Sequence, residues 1–171
     1  MEIAGTLSLR RFSFKMLEKN AAVPPTVNRN YDEQSELMAL FPRQFQYRMP
    51  PEWAKHERTL LSWPVRDSMV YPDNYERVCD GYAQIAKAIA EFEPVTIVVN
   101  PEDEADVRSR FEERNIGLLP IPHNDAWLRD NGPTFVINDA GDLAAVNWRF
   151  NAWGGKYAPW DLDDAVAPTL L

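Results

Sequence analysis

From residue 49 onward, apolar and polar positions fall into blocks whose period changes. "RTLLSW" (58–63) is a short apolar run closed by Pro64 and predicts a strand. In "DNYERVCDGYAQIAKAIAEFE", Tyr75, Val78, Tyr82, Ile85, Ile89 and Phe92 recur every three or four residues. That predicts an amphipathic helix, capped by Asp73 or Asn74 and stopped by Pro94. "VTIVV" (95–99) is uninterrupted, as for a strand covered on both faces. "NPEDEADVRSRFEERN" offers Asn100 as cap, Pro101 at the first helical position and acids in the first turn, and predicts a second helix. "IGLLPIP" (116–122) predicts another strand. "TFVIN" (134–138) and "LAAVNWRF" (143–150) are joined by "DAGD" as a hairpin, with Val146, Trp148 and Phe150 sharing one face. "DLDDAVA" (161–167) can open a helix, which Pro168 interrupts. The order strand, helix, strand, helix, strand, hairpin defines an α/β fold class.

Residues 1–48 break this regularity. They hold none of the six tryptophans, and "AAVPPTVNRNYDEQSE" reads as linker. The chain therefore divides into an N-terminal extension, 1–48, expected to be disordered or linker, and a body, 49–171. Charge respects the same division. The extension has a net charge of +2, and the body carries the acidic excess behind the overall −8. An acidic body argues against a nucleic-acid partner and suits a cationic ligand. No apolar run is long enough to span a bilayer, so no membrane partner is expected. One cysteine, Cys79, excludes an internal disulfide and fits a cytoplasmic setting. With two histidines beside it, a His/Cys metal site is not expected.

Candidate chemistry concentrates in "HNDAWLRDNGPTF" (123–135). On a strand Trp127 and Asp130 would point apart, whereas a helical turn puts them on one side. Together they could hold a planar cation between an indole face and a carboxylate. Equally, Asp130 could pair with Arg129 or another arginine as a structural ion pair. A second concentration, "NWRFNAWGGKYAPWDLDD" (147–164), includes Asn151, Trp153 and a Gly-Gly pair that permits a tight backbone path. Cys79 reads as a small core residue. His56 reads as a surface or salt-bridged group, and His123 as a strand-end residue or a base. No phosphate loop, HExxH or CxxC occurs.

Four stretches in order, "MPPEWAKHERTLLSWP", "FEPVTIVVNPED", "NDAWLRDNGPTFVIND" and "VNWRFNAWGGKYAPWDLDD", resemble the N-terminal part of the agmatine deiminases, within the bacterial-type peptidylarginine deiminases. The resemblance runs from about Met49 to Asp164. It implies a pentein-type α/β propeller, of which this chain would make a part, roughly two of five blades. It implies hydrolysis of agmatine to N-carbamoylputrescine and ammonia, without cofactor, through a covalent amidino-cysteine. Carried over by motif, Trp127 packs on the substrate and Asp130 grips the guanidinium. Asp125 and Arg129, in the same motif, support them. Asn151 and Trp153 are further substrate-binding candidates from the residues themselves, balanced against a loop that covers a core edge. The family's Gly-His-x-Asp and Glu-Gly-Gly motifs and its C-terminal cysteine have no counterpart here, so no catalytic residue is assigned. The expectation is an N-terminal piece, inactive alone, with agmatine as partner and possible homo-oligomers in the intact family member. The alternatives are a non-catalytic guanidinium- or amine-binding or assembly module, and a piece of a peptidylarginine or arginine deiminase.

Overall fold

A computed structural model describes residues 16–18 and 46–171 apart from Met69. The expected N-terminal extension, 1–48, otherwise lies outside the described residues. Two three-stranded sheets organise the described residues. In the first, β2 (Thr59–Ser62), β3 (Val95–Val99) and β4 (Ile116–Pro120) run parallel in the order β2-β3-β4. In the second, β6 (Leu143–Asn147) lies between β5 (Thr134–Ile137), its antiparallel hairpin partner, and β1 (Met16–Glu18), which is parallel to it. Arg48 bridges to Ile137 on the outer edge of β5.

Between the parallel strands run α1 (Tyr75–Ala90) and, after a 3₁₀ turn at Pro101–Asp103, the short α2 (Glu104–Ser109). Parallel neighbours need such crossovers, and these cover one face of the first sheet. There Val95, Ile97, Val99 and Ile116 pack against Tyr75, Cys79, Ala86, Ala90, Val107 and Phe111, with Trp63 closing the end. The opposite face packs Val98 and Ile121 on Val166, with Leu119, Leu128 and Leu170. β3 is therefore covered on both sides, as its unbroken run requires.

Four expectations are corrected. The buried face of α1 is Tyr75, Cys79, Ala86 and Ala90, while Ile85 is 51% and Phe92 86% exposed. Tyr82 and Ile89 of the predicted stripe still pack against this core, but the small residues Cys79, Ala86 and Ala90 lie within it, which shifts the seam away from Ile85 and Phe92. The residue at the cap of α1 is Asn74, but its side chain caps nothing. Pro168 does not end the last helical segment. After α3 (Leu128–Asn131) come two further helical pieces, α4 (Asp161–Asp164) and α5 (Val166–Leu170), and Pro168 sits in the first turn of α5. A proline is tolerated there because first-turn N–H groups have no intrahelical partner. Trp148 leaves the hairpin face: β6 stops at Asn147, and the Trp148 indole N–H donates to Thr134 Oγ1 (3.0 Å).

The core reading makes a stability contrast. Ile97→Ala should lower the free energy of unfolding by about 2–5 kcal/mol. Phe92→Ser should change it by no more than about 0.5 kcal/mol, since an exposed ring loses little on removal. Urea denaturation followed by tryptophan fluorescence measures both.

Candidate functional site

The segment 121–133 carries the chain from the end of β4 to the start of β5, so it passes the carboxyl ends of all three parallel strands. Open parallel sheets place ligands in the crevice outside those ends. Here the crevice is a cavity of about 300 Å³. Val65, Asp67 and Ser68 come after β2, Asn100 and Glu102 after β3, and Pro122 to Asp125 after β4. Trp127, Phe150, Trp153, Tyr157, Leu162 and Asp163 close the far side.

The inner wall is fixed by hydrogen bonds to backbone. Asn100 stands where a cap for the next helix was expected, but its side chain turns to the neighbouring strand. Its Nδ2 donates to the His123 carbonyl (3.2 Å) and its Oδ1 accepts from the His123 N–H (2.9 Å). His123 is buried, with Nδ1 3.0 Å from the Ile121 carbonyl and Nε2 2.9 Å from the Trp63 carbonyl. Both ring nitrogens face backbone oxygens; an imidazole with one N–H donates to one of them, and through Nε2 it ties the end of β2 to the chain after β4.

Asp125 is held by three donors. Ser68 Oγ–H reaches Oδ2 (2.6 Å), while Tyr71 O–H (3.3 Å) and the Ala126 N–H (2.7 Å) reach Oδ1. The Tyr71 phenol is pushed upward in pKa, first by burial and then by the Asp125 charge, and stays a donor. Asp163, only 2% exposed, accepts from the N–H groups of Asn124 (2.8 Å) and Asp125 (3.1 Å) through Oδ1. Burial raises its pKa, and the two N–H bonds partly oppose that.

Trp127 opens α3, with its carbonyl accepting from the N–H groups of Asp130 and Asn131 (2.8 Å each). The turn closes on Gly132, where a Cβ would sit 2.4 Å from the Leu128 carbonyl oxygen. Trp127 meets the Trp153 ring edge-on at 5.3 Å, and Trp153 also contacts Phe150 (5.4 Å) and Tyr157 (5.8 Å). Trp153 belongs to a helical turn, Ala152–Gly155, whose four residues all have positive φ. Left-handed backbone costs roughly 1–2 kcal/mol per non-glycine residue. Asn151 stabilises it by accepting the Gly154 N–H on Oδ1 (2.9 Å) and the Gly155 N–H on its carbonyl (2.7 Å).

The structure thus brings Asp125, Trp127 and Trp153 to one cavity wall, with Asn151 exposed at the start of the Trp153 turn. Asp130 and Arg129 are exposed and do not line the cavity. Arg129 pairs with Glu52, and Asp130 has no ion-pair partner among the described residues. Sequence reasoning missed Ser68, Tyr71, Asn124 and Asp163. For Asp163 the acidic first turn of "DLDD" was a signal, but it reads as helix capping. Cys79 is fully buried in the first core and its thiol is pushed up by burial. His56 bonds Glu93 (3.2 Å) and the Glu52 carbonyl (2.9 Å) on the surface. No group of three or more metal-ligating side chains exists among the described residues.

Similarity to known proteins covers the same stretch of chain. Residues 48–171 match the Porphyromonas-type peptidyl-arginine deiminase family. Agmatine deiminase of Pseudomonas aeruginosa is 45% identical over 138 residues, covering 76% of this chain and 36% of the relative. That of Stutzerimonas stutzeri is 46% identical over 134 residues with the same coverage. Among solved structures, agmatine deiminase of Enterococcus faecalis superposes with a TM-score of 0.69 at 39% identity, over 75% of this chain and 36% of that one. A variant agmatine deiminase of C. jejuni with substrate bound gives 0.64 at 28% identity, over 72% and 36%. The chain therefore spans little more than a third of the length of the relatives it matches.

Two outcomes test this geometry. Gly132→Ala should destabilise the protein by about 1–3 kcal/mol, because the intruding methyl meets backbone that cannot move aside. Asp163 has a folded pKa above the ordinary 3.8, so the folded state binds that proton more tightly than the unfolded chain. Its contribution is largest at low pH and is lost as pH rises through the raised pKa. The stability of Asp163→Asn relative to wild type should therefore increase between about pH 3 and about pH 7. A difference that stays constant with pH would contradict the buried-acid assignment.

Proposed function

Because the chain belongs to the Porphyromonas-type peptidyl-arginine deiminase family, we propose that it supplies part of the substrate-gripping shell of an agmatine deiminase, built as part of a pentein-type propeller. The observation that carries this reading is the chemistry of the cavity lining. Asp67, Glu102 and Asp125 are acidic, Trp127, Phe150, Trp153 and Tyr157 are aromatic, and no lysine or arginine among the described residues lines the space; Asp163 also borders it, with its Oδ1 turned to the N–H groups of Asn124 and Asp125. Such a wall attracts a cation by charge and holds it by ring faces and carboxylates.

In the proposed reaction the guanidinium lies against Trp127, and Asp130, which follows on the same helical turn but lies in solvent outside the cavity lining, grips the nitrogens of a guanidinium that reaches past that lining. A thiolate attacks the guanidinium carbon and ammonia leaves. Water then releases N-carbamoylputrescine from the amidino-cysteine. The nucleophile is not Cys79, which is enclosed by core residues and has its thiolate form disfavoured. On this reading the chain alone binds substrate and does not turn it over.

The lining also favours agmatine over free arginine. Agmatine carries two positive charges and no carboxylate, whereas the α-carboxylate of arginine would face acids with no basic partner among the described residues of the lining. A non-catalytic amine-binding module would share this wall, and only turnover in a complete enzyme separates the two.

Calorimetric titration with agmatine and with arginine tests the reading. Agmatine should bind at least about tenfold more tightly. Trp127→Ala should weaken it by roughly three- to thirtyfold, the range of a desolvated cation–π contact, and Asp130→Asn should weaken it as well. Equal heats for the two ligands, or none for agmatine, would reject the proposal.

A further inference from the structure

We propose that Asn124 and Asp163 are positioning residues, a reciprocal clasp that sets the spacing of the two tryptophans across the cavity. Each side chain satisfies the backbone of the other's segment. Asn124 Oδ1 accepts from the N–H groups of Leu162 (2.9 Å) and Asp163 (3.3 Å). Asp163 Oδ1 accepts from the N–H groups of Asn124 (2.8 Å) and Asp125 (3.1 Å). Four backbone donors thus end on two side-chain oxygens belonging to segments far apart in the chain.

Local structure explains why the exchange is needed. α4 begins at Asp161, and the residue before it, Trp160, provides no side-chain cap. Its first-turn N–H groups would be left without acceptors, and Asn124 supplies one. The turn after β4 has the same deficit at Asn124 and Asp125, and Asp163 fills it. Neighbouring Asp164 adds a third tie, accepting the Phe150 N–H on Oδ1 (2.7 Å). The segment from Phe150 to Trp160, which carries Trp153 and Tyr157, is held at its start by Asp164 and at its end by Asn124. Trp127 lies three residues beyond Asn124. The 5.3 Å edge contact between Trp127 and Trp153 therefore spans two segments whose relative position these bonds fix.

The roles differ from direct ligand contact. An asparagine at 163 keeps the Oδ1 acceptor and loses the charge, while leucine loses both. If the clasp positions the wall, the neutral acceptor is sufficient. If the Asp163 charge itself grips the ligand, it is not.

The test uses the whole chain. The near-ultraviolet circular dichroism band that Trp153→Phe abolishes reports the paired indoles and needs no ligand. Asp163→Asn should keep this band and stay within about threefold of the wild-type agmatine affinity. Asp163→Leu and Asn124→Ala should each lose the band and at least about tenfold in affinity, the consequence of part-buried N–H groups left without their acceptors and of segments no longer held in place. The double variant Asn124→Ala/Asp163→Ala should lose less than the two single alanine variants added together, as partners in one interaction do. Far-ultraviolet spectra and urea midpoints identify variants that fail to fold; only folded variants are compared, with Asp163→Asn as reference. The proposal is overturned if Asp163→Leu or Asn124→Ala keeps the band, or if Asp163→Asn loses affinity as fully as Asp163→Leu. The affinity readout rests on the cation-binding reading. If wild type binds no agmatine, that reading fails, and the spectral band still decides the clasp.

Discussion

The side chain of Asn100 donates to the carbonyl of His123 and accepts from its N–H, while the His123 ring reaches back to carbonyls of Ile121 and Trp63. Three strands end here, and the chain must leave each of them without stranding polar backbone in a buried place. A dry loop with unmade hydrogen bonds costs roughly 1–3 kcal/mol per group. The Asn100 amide removes that cost for both backbone groups of His123, the imidazole offers its N–H to a carbonyl after β2 or β4, and Asn100 itself joins the end of β3 to this point. The Asp125 turn, α3 and the crossing to the second sheet are built outward from this anchor. The cavity is the space left between that outward path and the returning segment 150–164.

Much of this was legible locally. The unbroken apolar run "VTIVV" pointed to a strand buried on both faces, and the turn "DAGD" between apolar runs pointed to a chain folding back on itself. The helical turn at Trp127 was one of two readings of its spacing. The orientation of α1 was legible only in part: Tyr75, Tyr82 and Ile89 meet the core as the period predicts, while Ile85 and Phe92 do not, because periodicity records where apolar residues are and not how near a sheet will come. Ala86 and Ala90 decided it by being small.

The candidate site divides in the same way. Trp127, Asp125 and Trp153 stood out as unusual chemistry in short stretches. Asn124 and Asp163 did not, since each looks like an ordinary turn or capping residue. Their meaning comes from a contact across 39 positions, and no local spacing encodes such a pairing. Asp130 and Arg129 show the converse: adjacent opposite charges need not pair. Arg129 finds Glu52 and leaves Asp130 in solvent.

The turn at Ala152–Gly155 is a short piece of opposite-handed helix inside an L-chain. In the ordinary helix every Cα–Cβ bond leans toward the N-terminus, and reversing the hand reverses the screw along which side chains are displayed. Trp153 is thereby presented to Phe150 before it, Tyr157 after it and Trp127 across the cavity. Its neighbours toward the C-terminus are glycines, which have no handedness to violate, so the strain falls on Ala152 and Trp153. A ring at position 153 must therefore gain enough from its three aromatic contacts to outweigh a backbone that favours glycine there. The turn acts as a chiral filter on sequence drift: most side chains that would fit the space are rejected by the hand of the backbone.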